Sequence, residues 1–124
     1  MHVVFGPTPQ AMEHIRSRQL RALGVTTAKR LRVLPEVPAL GEFVEGYEAI
    51  GWYGLSAPAG LPAEIVQKLN AATNAALADA RVKAQLADLG VEPMPMTPAE
   101  FGKFVAADVE KWGKVIKFAG ITPG

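Results

Sequence analysis

Three apolar residues, Val3, Val4 and Phe5, run into Gly6-Pro7-Thr8-Pro9, and a helical pattern begins at once. This juxtaposition constrains the fold more than anything else in the chain. A short apolar run before a tight turn reads as a strand, and a helix that starts within the turn makes a strand–turn–helix unit. Such units sit inside α/β domains with neighbours on both sides. Thr8 is the expected N-cap, and Pro9 suits the first helical position, where a missing N–H costs nothing. Met12, Ile15 and Gln19 continue the helical spacing.

The same alternation recurs downstream. Leu20–Thr26 reads as a short buried strand, since its apolar residues are too few for a helix. Residues 27–38 show no period, and Pro35 and Pro38 bias their predecessors toward extended forms, so a long surface connection is expected. A short helix over Ala39–Val44 follows, then a strand from about Glu48 to Ala57. Gly51 and Gly54 within that strand suggest close approach of a backbone or ligand.

Three longer helices are predicted after it. Pro62–Leu77 places Ile65, Leu69, Ala72, Ala76 and Leu77 on one stripe. Ala80–Leu89 aligns Val82, Leu86 and Leu89 and is closed by Gly90. Thr97-Pro98-Ala99-Glu100 is a capping box opening a helix from Pro98 to about Ala119, with Trp112 on its apolar stripe as a core residue and Gly120 as its stop. Three or four strands among five helices give an α/β class, with a sheet too thin for the helices that would cover it.

Net charge is +1, which makes no case for nucleic acid. The charge is unevenly spread. Residues 1–34 carry Arg16, Arg18, Arg21, Lys29, Arg30 and Arg32 against Glu13, a local balance of +5. That pattern is a solvated basic face first and an anion-attracting rim second. The chain has no cysteine, which excludes disulfides, thiolate metal sites and a cysteine nucleophile. No apolar run approaches the roughly 20 residues of a membrane span, and no secretory signal pattern is visible.

Catalytic chemistry is not expected. His2 and His14 lack partners at metal-ligand spacing, Ser17 and Ser56 lie in no nucleophile elbow, and Asp108 and Glu110 do not share a helix face. No phosphate loop or other cofactor motif is present, so no cofactor is anticipated. The Gly6–Gln10 turn is the best candidate for binding, because a strand end feeding a helix N-terminus favours carboxylates. A plain βα turn explains it equally well. Trp52 and Tyr53 point to opposite faces of an extended segment, so one packs inward and the other faces a cleft or helix; two packed aromatics are the plainer alternative.

The stretches "HIRSRQLRALGVTTAKR", "LPEVPAL", "GYEAIGWYGLSAPAGLPAEIVQKLN" and "PAEFGKFVAADVEKWGKVIKFAGI" together resemble the C-terminal part of the Bug family. These are extracytoplasmic solute-binding receptors of tripartite tricarboxylate transporters. The resemblance spans nearly the whole chain. It implies a partial type II periplasmic-binding-protein-like fold: residues 1–26 as the end of the second lobe with the crossover strand, and 27–124 as the C-terminal half of the first lobe. It further implies a periplasmic setting, a small organic acid as ligand, membrane transporter subunits as partners, and no catalysis. The candidate ligand-binding residues are Gly6, Thr8, Trp52 and Tyr53. Many relatives carry an Asp-Asn pair where this chain has Gly6-Pro7, which leaves Thr8 and backbone groups as the polar contacts of the turn. The family's N-terminal part has no counterpart here, so exposed sheet edges are expected to drive self-association, most simply as a dimer. A self-associating domain that binds no solute is the alternative.

Overall fold

The computed structural model describes residues 2–122 of the chain. Among the described residues there are four α-helices, α1 Thr8–Arg16, α2 Ala63–Ala78, α3 Ala80–Asp88 and α4 Pro98–Phe118, with a 3-10 turn at Leu40–Glu42. Two compact units form. The first comprises Met1–Ala57 and Ala78–Pro93, the second Pro58–Leu77 and Met94–Gly124.

The helices fall where their local signals placed them. Thr97 Oγ1 accepts from the Glu100 N–H at 3.2 Å, and a Glu100 carboxylate oxygen accepts from the Thr97 N–H at 2.8 Å, which is the reciprocal capping box at the start of α4. Asp79 caps α3 by accepting from the N–H groups of Arg81 and Val82 at 2.9 and 3.1 Å. Three helices end in one and the same motif. Beyond α3, Gly90 N–H donates to Ala87 C=O and Val91 N–H to Leu86 C=O; beyond α4, Gly120 donates to Lys117 and Ile121 to Ile116. Beyond α1, Arg18 donates to Ile15 and Gln19 to His14. This is the Schellman pattern, which needs a left-handed residue just past the helix. Gly90 and Gly120 supply it at φ +70° and +66°, whereas α1 uses Arg18 at φ +60°.

The expected strands do not form. Among the described residues there is no β-ladder, and the single bridge is parallel, between Val25 and Ala39. Val25 N–H donates to Pro38 C=O and Leu40 N–H to Val25 C=O, both at 2.9 Å, while Ala49 N–H reaches Thr26 C=O. The segments predicted as strands at Val3–Phe5, Leu20–Thr26 and Glu48–Ala57 are irregular, with Val25 as the one bridged residue among them. A strand exists only through a partner's ladder, and pattern alone does not supply one. The predicted helix at Ala39–Val44 is likewise shortened to the 3-10 turn.

The core of the first unit lies where a surface connection was expected. Leu31, Leu34, Val37 and Ala39 are buried with Met12 and Val25, and Ile15, Ala22 and Val33 pack against them. Leu34 N–H donates to Leu31 C=O and Val37 N–H to Leu34 C=O, so successive tight turns bring every third residue to the same side. Pro35 lies inside the second of those turns and does not hold the segment at the surface. Gly24 is pinned beside this core, since a Cβ there would come within 2.8 Å of the Leu40 side chain.

The second unit is organised by a polar staple. Asn70 and Asn74, one turn apart on α2, each donate Nδ2–H to Met96 C=O at 2.8 and 3.1 Å. They fix the extended "PMPM" segment that leads into α4. The half-buried face of α2 therefore includes Val66, Asn70, Thr73, Asn74 and Leu77, while Ile65 and Leu69 of the predicted stripe are exposed. On α4 the half-buried positions include Phe101, Phe104, Val105 and Trp112. Trp112 is not core: its Nε1–H donates to Asp108 at 3.1 Å, and the Lys111 ammonium sits 5.5 Å from its ring centroid.

Candidate functional site

The turn at residues 6–9 is built from two prolines around Thr8. Pro7, at φ −61° and ψ 135°, is the N-cap of α1, and no side chain caps the helix. Thr8 is thus the first helical residue and not the cap, and Pro9 is the second. The displacement follows from Pro7, whose C=O already accepts from the N–H groups of Gln10 and Ala11 at 3.1 and 3.2 Å. Pro7 and Pro9 have no N–H, so between Gly6 and Gln10 the Thr8 amide is the one main-chain donor, with the Thr8 hydroxyl beside it. No acidic residue lies in the first turn of α1, which leaves the positive end of the helix dipole uncancelled by a nearby carboxylate.

Gly6 is exposed, and a Cβ at this position would meet nothing within 4 Å. Thr8 is half-buried because its methyl group faces Gly90 at the end of α3. Trp52 and Tyr53 alternate along their extended segment. Trp52 is half-buried and Tyr53 is 81% exposed. The four candidates thus fall into two pairs, Gly6 with Thr8 at the α1 N-terminus and Trp52 with Tyr53 on the later segment.

Sequence reasoning passed over one concavity. An open cleft of about 450 Å³ is walled by Ile15 and Leu20–Leu23 on one side and by Glu36, Val37 and Pro38 on the other, and none of the four candidates lines it. Arg21 and Glu36 bring opposite charges to its rim. No motif links those two positions in the sequence, because the turns through Leu31, Leu34 and Val37 create their proximity.

Beside the core, Arg30 and Glu42 form a two-point ion pair. Arg30 Nε–H and Nη2–H donate to the two carboxylate oxygens at 2.8 and 2.7 Å. Arg30 also reaches Pro35 C=O at 3.2 Å, and Glu42 accepts from Ala39 N–H at 2.9 Å. The Arg30 hydrogen bonds, with the Ala39 N–H next, draw the Glu42 carboxyl down to about 2. The basic residues of the first 34 positions are therefore not one free patch: Arg30 is paired, and Arg16 donates to Asp88 C=O at 3.1 Å. His14 is exposed and hydrogen-bonded to Gln19 through Nδ1 at 2.8 Å. Among the described residues no group of acidic and histidine side chains is arranged to hold a metal ion, and no helix is long and apolar enough to cross a membrane.

Residues 1–121 match the family described as the tripartite tricarboxylate transporter family receptor. BugT of Bordetella pertussis is 34% identical over 115 residues, which is 90% of this chain and 35% of BugT. A protein of Agrobacterium vitis, encoded in the TAR-I ttuE-ttuC' intergenic region, is 37% identical over 117 residues, 91% of this chain and 34% of that protein. The solved structure of the periplasmic binding protein BugD superposes with a TM-score of 0.82 at 32% identity, covering 90% of this chain and 38% of BugD. That likeness agrees with the periplasmic-binding-protein class expected from the sequence, although no strand forms among the described residues. The chain spans about a third of the length of these two curated relatives. It belongs to the tripartite tricarboxylate transporter receptor family.

Proposed function

We propose that the chain is part of a periplasmic solute receptor that binds a small organic carboxylate and presents it to the membrane subunits of a tripartite transporter, without catalysing a reaction. The observation that carries this reading is the family match over residues 1–121. The α1 N-terminus is the proposed anion contact. There the Thr8 N–H and hydroxyl, together with the helix dipole, meet one carboxylate oxygen. Gly6 keeps the approach open, since it puts no side chain into the turn. On the later segment the exposed Tyr53 supplies flat apolar surface to the solute's carbon skeleton, and the half-buried Trp52, on the opposite face, supports that segment. In this reading residues 1–26 are the end of the second lobe with the crossover, and 27–124 belong to the first.

The test is a panel of di- and tricarboxylates followed by thermal unfolding. A ligand that binds only the folded state raises stability by about 2.7 kcal/mol at one hundred times its Kd. Neutral amide analogues of the same acids should leave the midpoint unchanged.

A second reading is a self-associating domain that binds no solute. It is favoured by apolar side chains that face solvent, among them Phe5 at 79% and Phe118 at 95% exposure. A dimer mass in light scattering with no response to any acid would select it.

A further inference from the structure

Gly90 lies between the methyl groups of two other segments of its unit. A Cβ there would stand 2.7 Å from Thr8 Cγ2 and 3.1 Å from Val33 Cγ2, so the bare Cα is the seat on which the Thr8 methyl rests. That seat is held by hydrogen bonds. Gly90 N–H donates to Ala87 C=O and Val91 N–H to Leu86 C=O, both at 2.9 Å, and the Gly90 φ of +70° belongs to this helix end. Val33 in turn packs against the core. The last residue of α1 is tied to the same place, since Arg16 Nη2–H donates to Asp88 C=O at 3.1 Å.

The other branch of the Thr8 side chain is unengaged. Its hydroxyl makes no hydrogen bond among the described residues. No buried side-chain oxygen or nitrogen among them lacks a partner, so this hydroxyl reaches solvent. Methyl and hydroxyl share one Cβ. The side chain has three staggered wells, and seating the methyl selects one of them and with it the direction of the hydroxyl. A contact to the apolar branch thus aims the polar one.

We infer that Gly90 is a positioning residue for the anion contact at the start of α1. It does not touch the solute; it selects the Thr8 rotamer that offers the hydroxyl to a carboxylate together with the Thr8 N–H. The inference rests on the carboxylate reading of this turn and adds a requirement to it. A hydroxyl alone is not sufficient, because Thr8→Ser keeps the donor and loses what aims it.

The test is calorimetric titration of the chain, Thr8→Ser, Gly90→Ala and the double variant with succinate, malate, glutarate and citrate. Three-bond couplings to Thr8 Cγ2, read by NMR without any acid, accompany it. The wild-type couplings should report a single staggered well. Thr8→Ser spreads the hydroxyl over three wells, so affinity should fall by about threefold. Gly90→Ala drives the methyl from its seat and should weaken binding by about tenfold, the loss of the hydroxyl contact. Combined with Thr8→Ser it should weaken binding no further, because the methyl it displaces is gone; a merely structural role predicts that the two effects add. Wild-type couplings averaged over the wells overturn the inference, as do additive effects, or Thr8→Ser binding the acids as the wild type does. The carboxylate reading survives each of these results. Heat from none of the four acids overturns that reading and the inference with it. If Gly90→Ala does not fold, the couplings and Thr8→Ser decide.

Discussion

Thr8 and Gly90 fix each other across the first unit. A Cβ at Gly90 would lie 2.7 Å from the Thr8 methyl carbon and 3.1 Å from a Val33 methyl, and the Gly90 φ of +70° disfavours any side chain. The end of α3 is thus the wall against which the first residue of α1 rests. Gly90→Ala should cost about 2 kcal/mol or more, with about 1 from the left-handed backbone and the remainder from displaced contacts. Urea denaturation reads this directly. An unchanged midpoint would mean that α3 does not support the turn.

Arg18 holds the same left-handed position after α1 that glycine holds after α3 and α4. Arg18→Gly should therefore stabilise the protein by about 0.5–1 kcal/mol, although glycine loses more entropy on folding. Arg18→Val should destabilise it, because a β-branched side chain fits this region least. If both variants unfold at the wild-type midpoint, the Schellman end of α1 carries no weight.

The Arg30–Glu42 pair sets an acid dependence. Glu42 is lowered from an ordinary value of 4.5 to about 2, chiefly by the Arg30 hydrogen bonds. A depressed carboxyl stabilises the fold above its unfolded value, and that contribution is lost as pH falls from about 4.5 through about 2. Glu100 is lowered as well, by the Thr97 N–H first and its hydroxyl second, and acts in the same direction. Glu42→Gln should flatten the decline of the unfolding midpoint between pH 5 and pH 2, approximately the window in which the carboxyl would titrate. An unaltered acid limb would show that the ion pair is not maintained in solution.

Asp79 takes two N–H groups at the start of α3. Asp79→Ala should cost about 1 kcal/mol, and Asp79→Asn much less, since an amide oxygen still accepts. Equal losses in the two variants would point to charge and not capping as the cause.

The helices were legible because their boundary signals are local. Thr97 and Glu100 are three residues apart, and Gly90 and Gly120 each sit just beyond a periodic run. The core was not. Leu31, Leu34 and Val37 recur at a spacing of three across Pro35, which resembles neither a helix nor a strand, and only the turns make it a buried edge. The inner face of α2 was misjudged for a related reason. Apolar count favoured Ile65 and Leu69, while the Met96 carbonyl, contributed from 22 and 26 residues away, turns Asn70 and Asn74 inward. The strands at Val3–Phe5 and Glu48–Ala57 were read from pattern, but a ladder is a property of two segments. At the candidate site the turn was legible and its capping was not, because Pro7 ends the extended chain one residue before the better capping side chain.

The central claim is that Thr8 presents a carboxylate contact at the start of α1. The most direct measurement is calorimetric titration of the chain and of Thr8→Val with the acids that raise its unfolding midpoint. Valine keeps the methyl group facing Gly90 and removes only the hydroxyl. The account predicts saturable binding to the wild type and about tenfold weaker binding to Thr8→Val, the effect of losing one charge-assisted hydrogen bond of about 1.4 kcal/mol. Equal affinity in the two proteins, or heat from neither with any acid of the panel, would contradict it.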